Sequence, residues 1–205
     1  MNLFIYGAGG HAKVIAESAL KLRDVSNIYF VDDNTQNQNF IKKYSNFLLI
    51  PESKIPRNLT DAYAIVGIGD NQIRKDVAGR CMQIPFISIL NPSSIISDSA
   101  NILTGSYIGA GAIINADSCV SDHVIVNTQA VIEHDCDIGS FSHIGPGSTL
   151  AGGVKVGSNC FIGGGAFVNP NISITNDVVI GSGSLVVDNI QESGTYLGSP
   201  IRKIK

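Results

Sequence analysis

The sequence predicts an α/β N-terminal domain, built as a small Rossmann-like parallel sheet, followed by a left-handed parallel β-helix of hexapeptide repeats. The first observation is a six-residue repeat that runs without a gap from residue 95 to residue 190. The second is the alternation of short apolar segments with segments of helical spacing over residues 1–84. A fixed short period is typical of solenoids, and alternating strands and helices are typical of a parallel sheet.

The N-terminal domain is expected to alternate strands with helices around a glycine-rich turn, Gly7–Gly10. Apolar residues spaced three and four apart predict the helices, and Asp70 can cap the second helix. The expected strands are Asn2–Tyr6, Ile28–Val31 and Ala62–Ile68, and the expected helices cover residues 11–22 and 72–83. Residues 85–94 form the joint to the repeats, and residues 191–205 leave the repeat as a C-terminal tail with basic residues.

The repeat itself predicts how each hexad folds. Position two is Ile, Val or Leu in all sixteen hexads, and position six is always small or aliphatic. Each hexad should therefore form one short strand and one turn, with the aliphatic side chain inside a triangular coil of three hexads. Glycine recurs at position three, and we expect it there because it tolerates turn backbone that a Cβ disfavours. These glycines are Gly109, Gly139, Gly145, Gly157, Gly163 and Gly181.

Composition excludes several classes of function. The mean hydropathy of +0.20 is explained by the Ile- and Val-rich repeat, and no apolar run approaches the roughly 18 residues of a membrane span, so membrane insertion is not expected. A net charge of −3 argues against nucleic acid as a partner. The four cysteines show no metal-binding or redox spacing, and the N-terminus lacks a basic leader, which together predict a reduced cytoplasmic protein.

A nucleotide site is predicted at the glycine turn. Gly7-x-Gly9-x-x-Ala12 follows a strand and opens a helix, and the acidic pair Asp32-Asp33 ends the next strand. In such turns helix N-terminal amides hold phosphate and an acid holds a ribose hydroxyl. The domain is about half the size of a two-lobed dinucleotide fold, so a nucleoside diphosphate fits better than NAD. The alternative is a tight turn with no ligand; likewise His11 could donate to a phosphate or be an ordinary first-turn residue.

Two histidines of the repeat are candidates for chemistry. His134 follows a buried aliphatic by two residues and is flanked by acids, so it should lie at the surface, where a carboxylate can orient and support a general base. His143 could donate to a carbonyl oxygen that becomes anionic. The alternatives are a solvated histidine between acids and a surface turn residue. The wide spacings between His123, His134 and His143 argue against a three-histidine zinc site.

Several segments together resemble the bacterial hexapeptide sugar acyltransferases of the PglD/NeuD type. They are GAGGHAKV, FVDD, VGIGDNQIRK, NTQAVIEHDCDIGSFSHIGPGSTLAGGVKVG and the terminal YLGSPIRK, which span residues 2–203. The resemblance implies a homotrimer that uses acetyl-CoA as a co-substrate, bound in grooves between neighbouring solenoids. It also implies that no cofactor is held permanently and that the acceptor is a nucleotide-linked amino sugar.

The resemblance also implies site residues, position by position. The catalytic base matches His134, its supporting acid matches Asp135, and Asn127 matches a position near the reacting centre. The implied acetyl-CoA contacts are His143, Gly152, Gly164 and Ser182, and the implied nucleotide-sugar contacts are Gly9, Gly10, His11, Asp32, Asp33, Gly69 and Asn71. Some relatives have Gly in place of Ser182 and Glu in place of Asp135. Residues 95–190 hold eight acids and one base, Lys155, so Lys155 and Arg202 are the cations expected to meet the CoA phosphates.

The expected function is therefore acetyl-CoA-dependent N-acetylation of a nucleotide-linked amino sugar, such as a UDP- or dTDP-4-amino-4,6-dideoxy sugar, for a bacterial surface glycan. His134 would act as general base in a direct transfer, with no metal. One alternative is O-acetylation of sialic acid or a related sugar by the same base. The other is a non-catalytic trimer that keeps the fold for assembly.

Overall fold

The N-terminal domain contains a four-stranded, fully parallel sheet with one helix on each face. The computed structural model describes residues 1–34, 41–56, 59–81 and 83–204. The sheet has the order β3-β2-β1-β4, so the carboxyl ends of all four strands meet at one edge. Its elements are β1 (Asn2–Tyr6), α1 (Gly10–Ala19), β2 (Asn27–Val31), β3 (Phe47–Ile50), a 3-10 turn (Glu52–Lys54), β4 (Ala62–Val66) and α2 (Asn71–Arg80).

Alternation along the strands explains the placement of the two helices. Leu3 and Ile5 of β1 point to one face, where they pack with Ala12 and Ile15 of α1, and Phe4 and Tyr6 point to the other, which α2 covers. Gly67, just after β4, approaches α1 closely: a Cβ there would lie 2.8 Å from the Cβ of Ala12. This contact holds the helix that begins at the glycine turn against the sheet.

Three of the four strands and both helices of this domain form where the sequence predicted them. Strand β3 was not predicted, because its four residues FLLI are too short a run to show a strand period. The strand expected to reach Ile68 ends at Val66, since the chain leaves the sheet at Gly67. Asp70 caps α2 as expected, with its carboxylate accepting from the amide of Ile73 at 2.9 Å.

The repeat region forms the expected parallel β-helix with three sheets. Two-residue strands stack in parallel every eighteen residues, for example Val131↔Thr149 and His143↔Phe161. The strands are β5 (Ile89–Leu90), β6 (Ile95–Ile96), β7 (Asn101–Ile102), β8 (Tyr107–Ile108), β9 (Ile113–Ile114), β10 (Cys119–Val120), β11 (Ile125–Val126), β12 (Val131–Ile132), β13 (Asp137–Ile138), β14 (His143–Ile144), β15 (Thr149–Leu150), β16 (Lys155–Val156), β17 (Phe161–Ile162), β18 (Phe167–Val168), β19 (Ser173–Ile174), β20 (Val178–Ile180) and β21 (Leu185–Val186).

The role expected for the position-three glycines was wrong. The left-handed backbone lies at position five, where Gly105 has a φ of 74° and non-glycine residues such as His123 and Asp135 have φ values of 56° and 59°. The glycines that do occur at position three instead allow close approach to a neighbouring segment of the backbone. A Cβ on Gly139 would lie 2.5 Å from the carbonyl carbon of Gly157 in the next coil. The residue with left-handed backbone therefore comes two positions later in each hexad than the sequence suggested.

The three outer faces of the β-helix differ in what they expose. The face of β5, β8, β11 and β14 is covered by the N-terminal domain, which buries the outward residues Ile89, Tyr107, Ile125 and His143. The polar face, formed by β7, β10, β13, β16 and β19, carries Asn101, Cys119, Asp137, Lys155 and Ser173. The apolar face, formed by β6, β9, β12, β15, β18 and β21, carries Ile95, Ile113, Val131, Thr149, Phe167 and Leu185.

Both ends of the β-helix are tied into neighbouring sheets. Phe86 bridges to Ala64 beside β4, and three residues later β5 already pairs with β8, so the joint belongs to both domains. At the other end β22 (Gly194–Gly198) pairs with β20 and turns back through β23 (Ile201–Lys203). The last coil is therefore covered by a hairpin.

Candidate active site

His134 and Asp135 lie together in the turn that follows β12. The Nδ1 atom of His134 is 2.7 Å from a carboxylate oxygen of Asp135, and both side chains are more than half exposed. This hydrogen bond is the main reason that the pKa of His134 is raised above its ordinary value. A carboxylate can only accept, so it holds the ring proton on Nδ1 and leaves Nε2 with a free lone pair. The pair has the arrangement of a general base and its orienting acid.

Gly152 provides the space in which this imidazole sits. It lies one coil above His134, where the amide of Gly153 donates to the His134 carbonyl at 2.9 Å. A Cβ on Gly152 would lie 2.7 Å from both Nε2 and Cε1 of the imidazole. Any side chain at this position would therefore displace the ring. The structure brings Gly152 to His134, beside the nitrogen that would accept a proton.

Asn127 and His143 form a second cluster, in contact with the N-terminal domain. The side-chain amide nitrogen of Asn127 is 3.0 Å from Nε2 of His143, and Nδ1 of His143 is 3.3 Å from the carbonyl oxygen of Gly69. His143 is 9% exposed and is the first residue of strand β14. Burial is the main reason that its pKa is lowered to about 4, so the ring is neutral at pH 7. The alternative of a surface turn residue is wrong, because the N-terminal domain covers this face.

The two clusters lie at opposite edges of the apolar face. His134 and Gly152 belong to the turns that leave this sheet, which we call the His134 edge. Asn127, Gly164 and Ser182 belong to the turns that enter it, which we call the Asn127 edge; the amide of Gly183 there donates to the carbonyl of Gly164 at 2.9 Å. A full strand separates the two edges within one chain. One chain therefore does not bring the base together with Asn127, Gly164 and Ser182.

The two cations expected to bind the CoA phosphates, Lys155 and Arg202, also lie on different parts of the β-helix domain. Lys155 lies on the polar face, where its ammonium is 3.8 Å from a carboxylate oxygen of Asp137. Arg202 lies in the C-terminal hairpin, opposite Leu197. The neighbouring Lys203 binds Glu192 at 2.8 Å and so is already paired.

A cavity of about 210 Å³ opens at the carboxyl edge of the N-terminal sheet. Its walls include the predicted contacts Asp32 and Asp33, and also Gly7, Glu52 and Arg80, which were not predicted as contacts. The carboxylate of Asp32 accepts from the amides of Ala8 at 2.9 Å and Asn34 at 2.8 Å, so Asp32 holds the glycine turn closed. Asp33 accepts from the amide of Glu52 at 3.3 Å.

The glycine turn leaves open space at the start of α1. Gly7 has a φ of 100° and needs to be glycine for conformational reasons, whereas a Cβ on Gly9 or Gly10 would meet no atom within 4 Å. Gly9 is the N-cap of α1 and makes no side-chain capping bond. Gly9 and Gly10 are also exposed, and an exposed helix N-terminus without a side-chain cap is what a phosphate requires.

The structure places His11, Gly69 and Asn71 at the junction of the two domains and outside the cavity at the sheet edge. The imidazole of His11 packs edge-on against Tyr107, and burial is the main reason that its pKa is lowered to about 3. Its Nε2 is buried and has no hydrogen-bond partner among the described atoms. Asn71 donates to the carbonyl oxygen of Cys160 at 2.9 Å. These three residues therefore dock the domain on the β-helix.

Arg74 is the main residue of this junction that sequence reasoning missed. It is 1% exposed, and its guanidinium bridges the two domains. Its acceptors are the carbonyls of Ile68, Gly69, His123, Phe141 and Ser142 and the side-chain amide of Asn71. The sequence places it on α2 in the segment VGIGDNQIRK, but an arginine on a helix is usually exposed. Only the docking of the β-helix against α2 buries it.

Neither a metal site nor a membrane-spanning helix is found in the part of the chain that the structure describes. No group of three His, Cys, Asp or Glu side chains within residues 1–34, 41–56, 59–81 and 83–204 could hold a metal ion together. In the same residues no helix has the length and apolar character needed to cross a membrane.

Comparison with known proteins relates both domains to sugar acetyltransferases. Residues 2–81 match the PglD N-terminal domain. Over 111 residues the chain is 36% identical to the UDP-N-acetylbacillosamine N-acetyltransferase of Bacillus subtilis (strain 168). That match covers 53% of this chain and about half, 51%, of the Bacillus subtilis protein.

Solved structures match over the whole chain. The acetyltransferase domain of PglB from Neisseria gonorrhoeae FA1090, in complex with acetyl coenzyme A, is 32% identical with a TM-score of 0.90, covering 99% of this chain and 98% of that one. PerB from Caulobacter crescentus, in complex with CoA and GDP-perosamine, is 33% identical with a TM-score of 0.84, covering 100% of this chain and 98% of that one.

Proposed function

This chain belongs to the PglD-type family of N-acetyltransferases of nucleotide-linked amino sugars, and from this premise we propose that it transfers an acetyl group from acetyl-CoA to the amine of such a sugar. The observation that carries the proposal is the pair His134–Asp135, joined at 2.7 Å. Its imidazole packs against Gly152, where any Cβ would displace it, and the His134 side chain is more than half exposed. An exposed base with a carboxylate behind it is what attack by an amine requires.

The transfer follows from the chemistry of these residues. The neutral amine attacks the thioester carbonyl carbon, and Nε2 of His134 accepts the proton that the nitrogen loses as the C–N bond forms. The carboxylate of Asp135 stabilises the resulting imidazolium. The tetrahedral intermediate then collapses, the C–S bond breaks, and CoA leaves as a thiolate that takes up the proton. A base in this role contributes typically ~10²–10⁴-fold to the rate.

The N-terminal domain supplies the acceptor site in this proposal. The open amides at Gly9 and Gly10 suit the diphosphate, and the cavity lined by Asp32, Asp33 and Glu52 suits the nucleoside. Asp33 and Glu52 remain for substrate hydroxyl or base N–H groups, since Asp32 already binds two main-chain amides. Acetyl-CoA is made inside the cell, and we place the reaction in the cytoplasm.

The active form is a homotrimer built on the apolar face. Ile95 and Phe167 on this face are 64% and 42% exposed, whereas the covered face is already occupied and the polar face carries charges. Packing of several copies through this face would bury its row of aliphatic and aromatic side chains. It would also bring the His134 edge of one copy near the Asn127 edge of the next, which unites the two halves of the site.

A panel of acceptors tests the proposed function. UDP-, dTDP-, GDP- and CMP-linked amino sugars would each be incubated with acetyl-CoA, and the release of free CoA and the mass of the sugar product measured. We expect one nucleotide series to gain an N-acetyl group. His134→Ala should lose ~10²-fold or more in kcat with little change in acetyl-CoA affinity, while Asn101→Ala, at an exposed position of the polar face, should behave as the wild type. Acetylation of free sialic acid alone, or of no sugar, would contradict the proposal.

A further inference from the structure

The hydrogen bonds around His143 determine which of its ring nitrogens carries the proton. The Asn127 side-chain oxygen accepts from the amide of Thr128 at 2.8 Å, which fixes the orientation of that side-chain amide. Its nitrogen, which can only donate, therefore faces Nε2 of His143. The carbonyl of Gly69, which can only accept, faces Nδ1. His143 is consequently protonated on Nδ1, with a lone pair on Nε2.

This tautomer removes the role expected for His143 from the sequence. Both ring nitrogens are engaged, and neither has an N–H left for a developing oxyanion. We propose that His143 is a positioning residue, which holds the Asn127 amide in place and connects it through Gly69 and Arg74 to the loop before α2. The proposal rests on the proposed acetyl transfer, because Asn127 lies at the edge where the acceptor and acetyl-CoA would meet.

The carbonyl of Gly69 is itself held firmly. It accepts from His143 at 3.3 Å and from the guanidinium of Arg74 at 3.1 Å. Arg74 also binds the carbonyl of Phe141 in the β-helix at 2.6 Å. A movement of the loop from Ile68 to Asn71 would thus be transmitted to His143 and then to Asn127. A continuous series of hydrogen bonds thus runs from the N-terminal domain to the Asn127 edge, through Arg74, Gly69, His143 and Asn127.

The charges around His143 preserve the required tautomer. Burial and the nearby Arg74 cation both disfavour a proton on Nε2, and they lower the pKa of the ring. A neutral ring accepts from Asn127, whereas a protonated ring would repel its N–H. An amide nitrogen has two N–H groups, and the second one of Asn127 remains for a substrate oxygen at this edge. His143 therefore acts on the substrate only through Asn127.

Three variants at His143 separate positioning from direct participation. His143→Phe keeps the ring volume but removes both hydrogen bonds, and His143→Asn can keep only the donor to Gly69. His143→Gln can present an oxygen near the position of Nε2 and so can still accept from Asn127. We expect Phe and Asn to lower kcat by about 10- to 100-fold with little change in the KM for acetyl-CoA, and Gln to recover most of kcat.

The matched control is His123→Phe. His123 is also buried at 8% exposure in the same β-helix, but its imidazole stacks on Phe141 and has no contact with Asn127. The left-handed φ of this position tolerates phenylalanine, since Phe141 itself has a φ of 62°. This variant should keep kcat near the wild-type value. In that case the lower kcat of the His143 variants does not come simply from the loss of a buried histidine.

A double-mutant cycle with Asn127→Ala gives the decisive kinetic result. If His143 acts through Asn127, the double variant with His143→Phe should be no slower than the slower single variant. Effects that multiply would overturn the proposal, because two independent contributions multiply. Wild-type inactivity on every nucleotide amino sugar would instead contradict the proposed function.

Nitrogen NMR of ¹⁵N-histidine-labelled protein tests the tautomer without any activity. We expect His143, identified by its loss in His143→Gln, to show a protonated Nδ1 and an unprotonated Nε2 at pH 7. An Nε2–H tautomer would overturn the proposal even if some variants failed to fold. Asn127→Ala should shift the Nε2 resonance, because it removes the donor to that nitrogen.

Discussion

At the scale of single residues, environment separates the histidines into different roles. His134 is exposed and bonded to a carboxylate, so its pKa rises, and it can exchange protons near neutral pH. His11 and His143 are buried near the Arg74 cation, so their pKa values fall to about 3 and about 4. Local sequence features made both His134 and His143 candidates for chemistry, and those features do not reveal burial.

Asp135→Asn tests the pairing at the base. The carboxylate raises the pKa of His134, and the reaction needs the neutral ring, so wild-type activity should fall as the pH drops through that raised pKa. The asparagine variant should be slower at neutral pH, and its acid limb should lie at lower pH. A profile of kcat/KM from pH 5 to 9 measures this. An unchanged acid limb would mean that another group controls it.

A second prediction concerns the buried histidines and stability. Their folded-state pKa values lie below the unfolded value of about 6.5, so below that pH the unfolded chain binds protons that the folded chain excludes. Stability should therefore fall as the pH drops from about 6.5 toward 4, by up to ~1.4 kcal/mol per pH unit for each histidine. Urea unfolding at pH 7, 6 and 5 should show a smaller loss for His11→Gln than for the wild type. His134→Ala, at an exposed histidine, should not flatten the curve.

At the scale of elements, the hexad combines two demands at different positions. Position five takes the left-handed conformation, which glycine, asparagine and aspartate adopt most readily. At position three, glycines such as Gly139, Gly145 and Gly163 lie against the backbone of the next coil, so a Cβ would clash there. Glycines at both positions are evident in the sequence. The sequence does not show which of them are needed for a left-handed φ and which for close approach, because a repeat period carries no information on the distances between coils.

Gly139→Ala should therefore destabilise the β-helix. Its new Cβ would lie 2.5 Å from backbone atoms of the next coil, which cannot move aside as a side chain can. We expect a loss of about 1–3 kcal/mol in the free energy of unfolding, as in other overpacked sites. Gly79→Ala is the control, since a Cβ there meets nothing within 4 Å on α2 and should stabilise by ~0.5–1 kcal/mol. A Gly139→Ala protein as stable as the wild type would contradict the packing argument.

At the scale of the whole molecule, the three faces of the β-helix have different surroundings. One face carries the N-terminal domain, one meets solvent, and the apolar face is free for other copies of the chain. The predicted site residues fall at both edges of that free face. Assembly and catalysis are thus linked in the proposed mechanism, because neither edge holds the full set.

Phe167→Lys tests this link. Phe167 lies on the apolar face between Thr149 and Leu185, and an ammonium buried there without a partner would be costly. We expect the trimer to dissociate, as followed by sedimentation, and acetyl transfer to be lost with it. Ser173→Lys on the polar face is the matched control and should leave both unchanged. A wild-type chain that stays monomeric at micromolar concentration would refute the assembly.

The order of residues was enough to predict the β-helix, its inward residues and the glycine turn, because periodic burial leaves a direct trace in it. Local features and the resemblance both pointed to His134 and its neighbour Asp135, which can pair because they are adjacent in the chain. The burial of Arg74, the tautomer of His143 and the separation of the two edges follow only from the folded arrangement. Those depend on how α2 and its preceding loop meet strands more than forty residues away, and contacts between distant segments have no period from which they could be predicted.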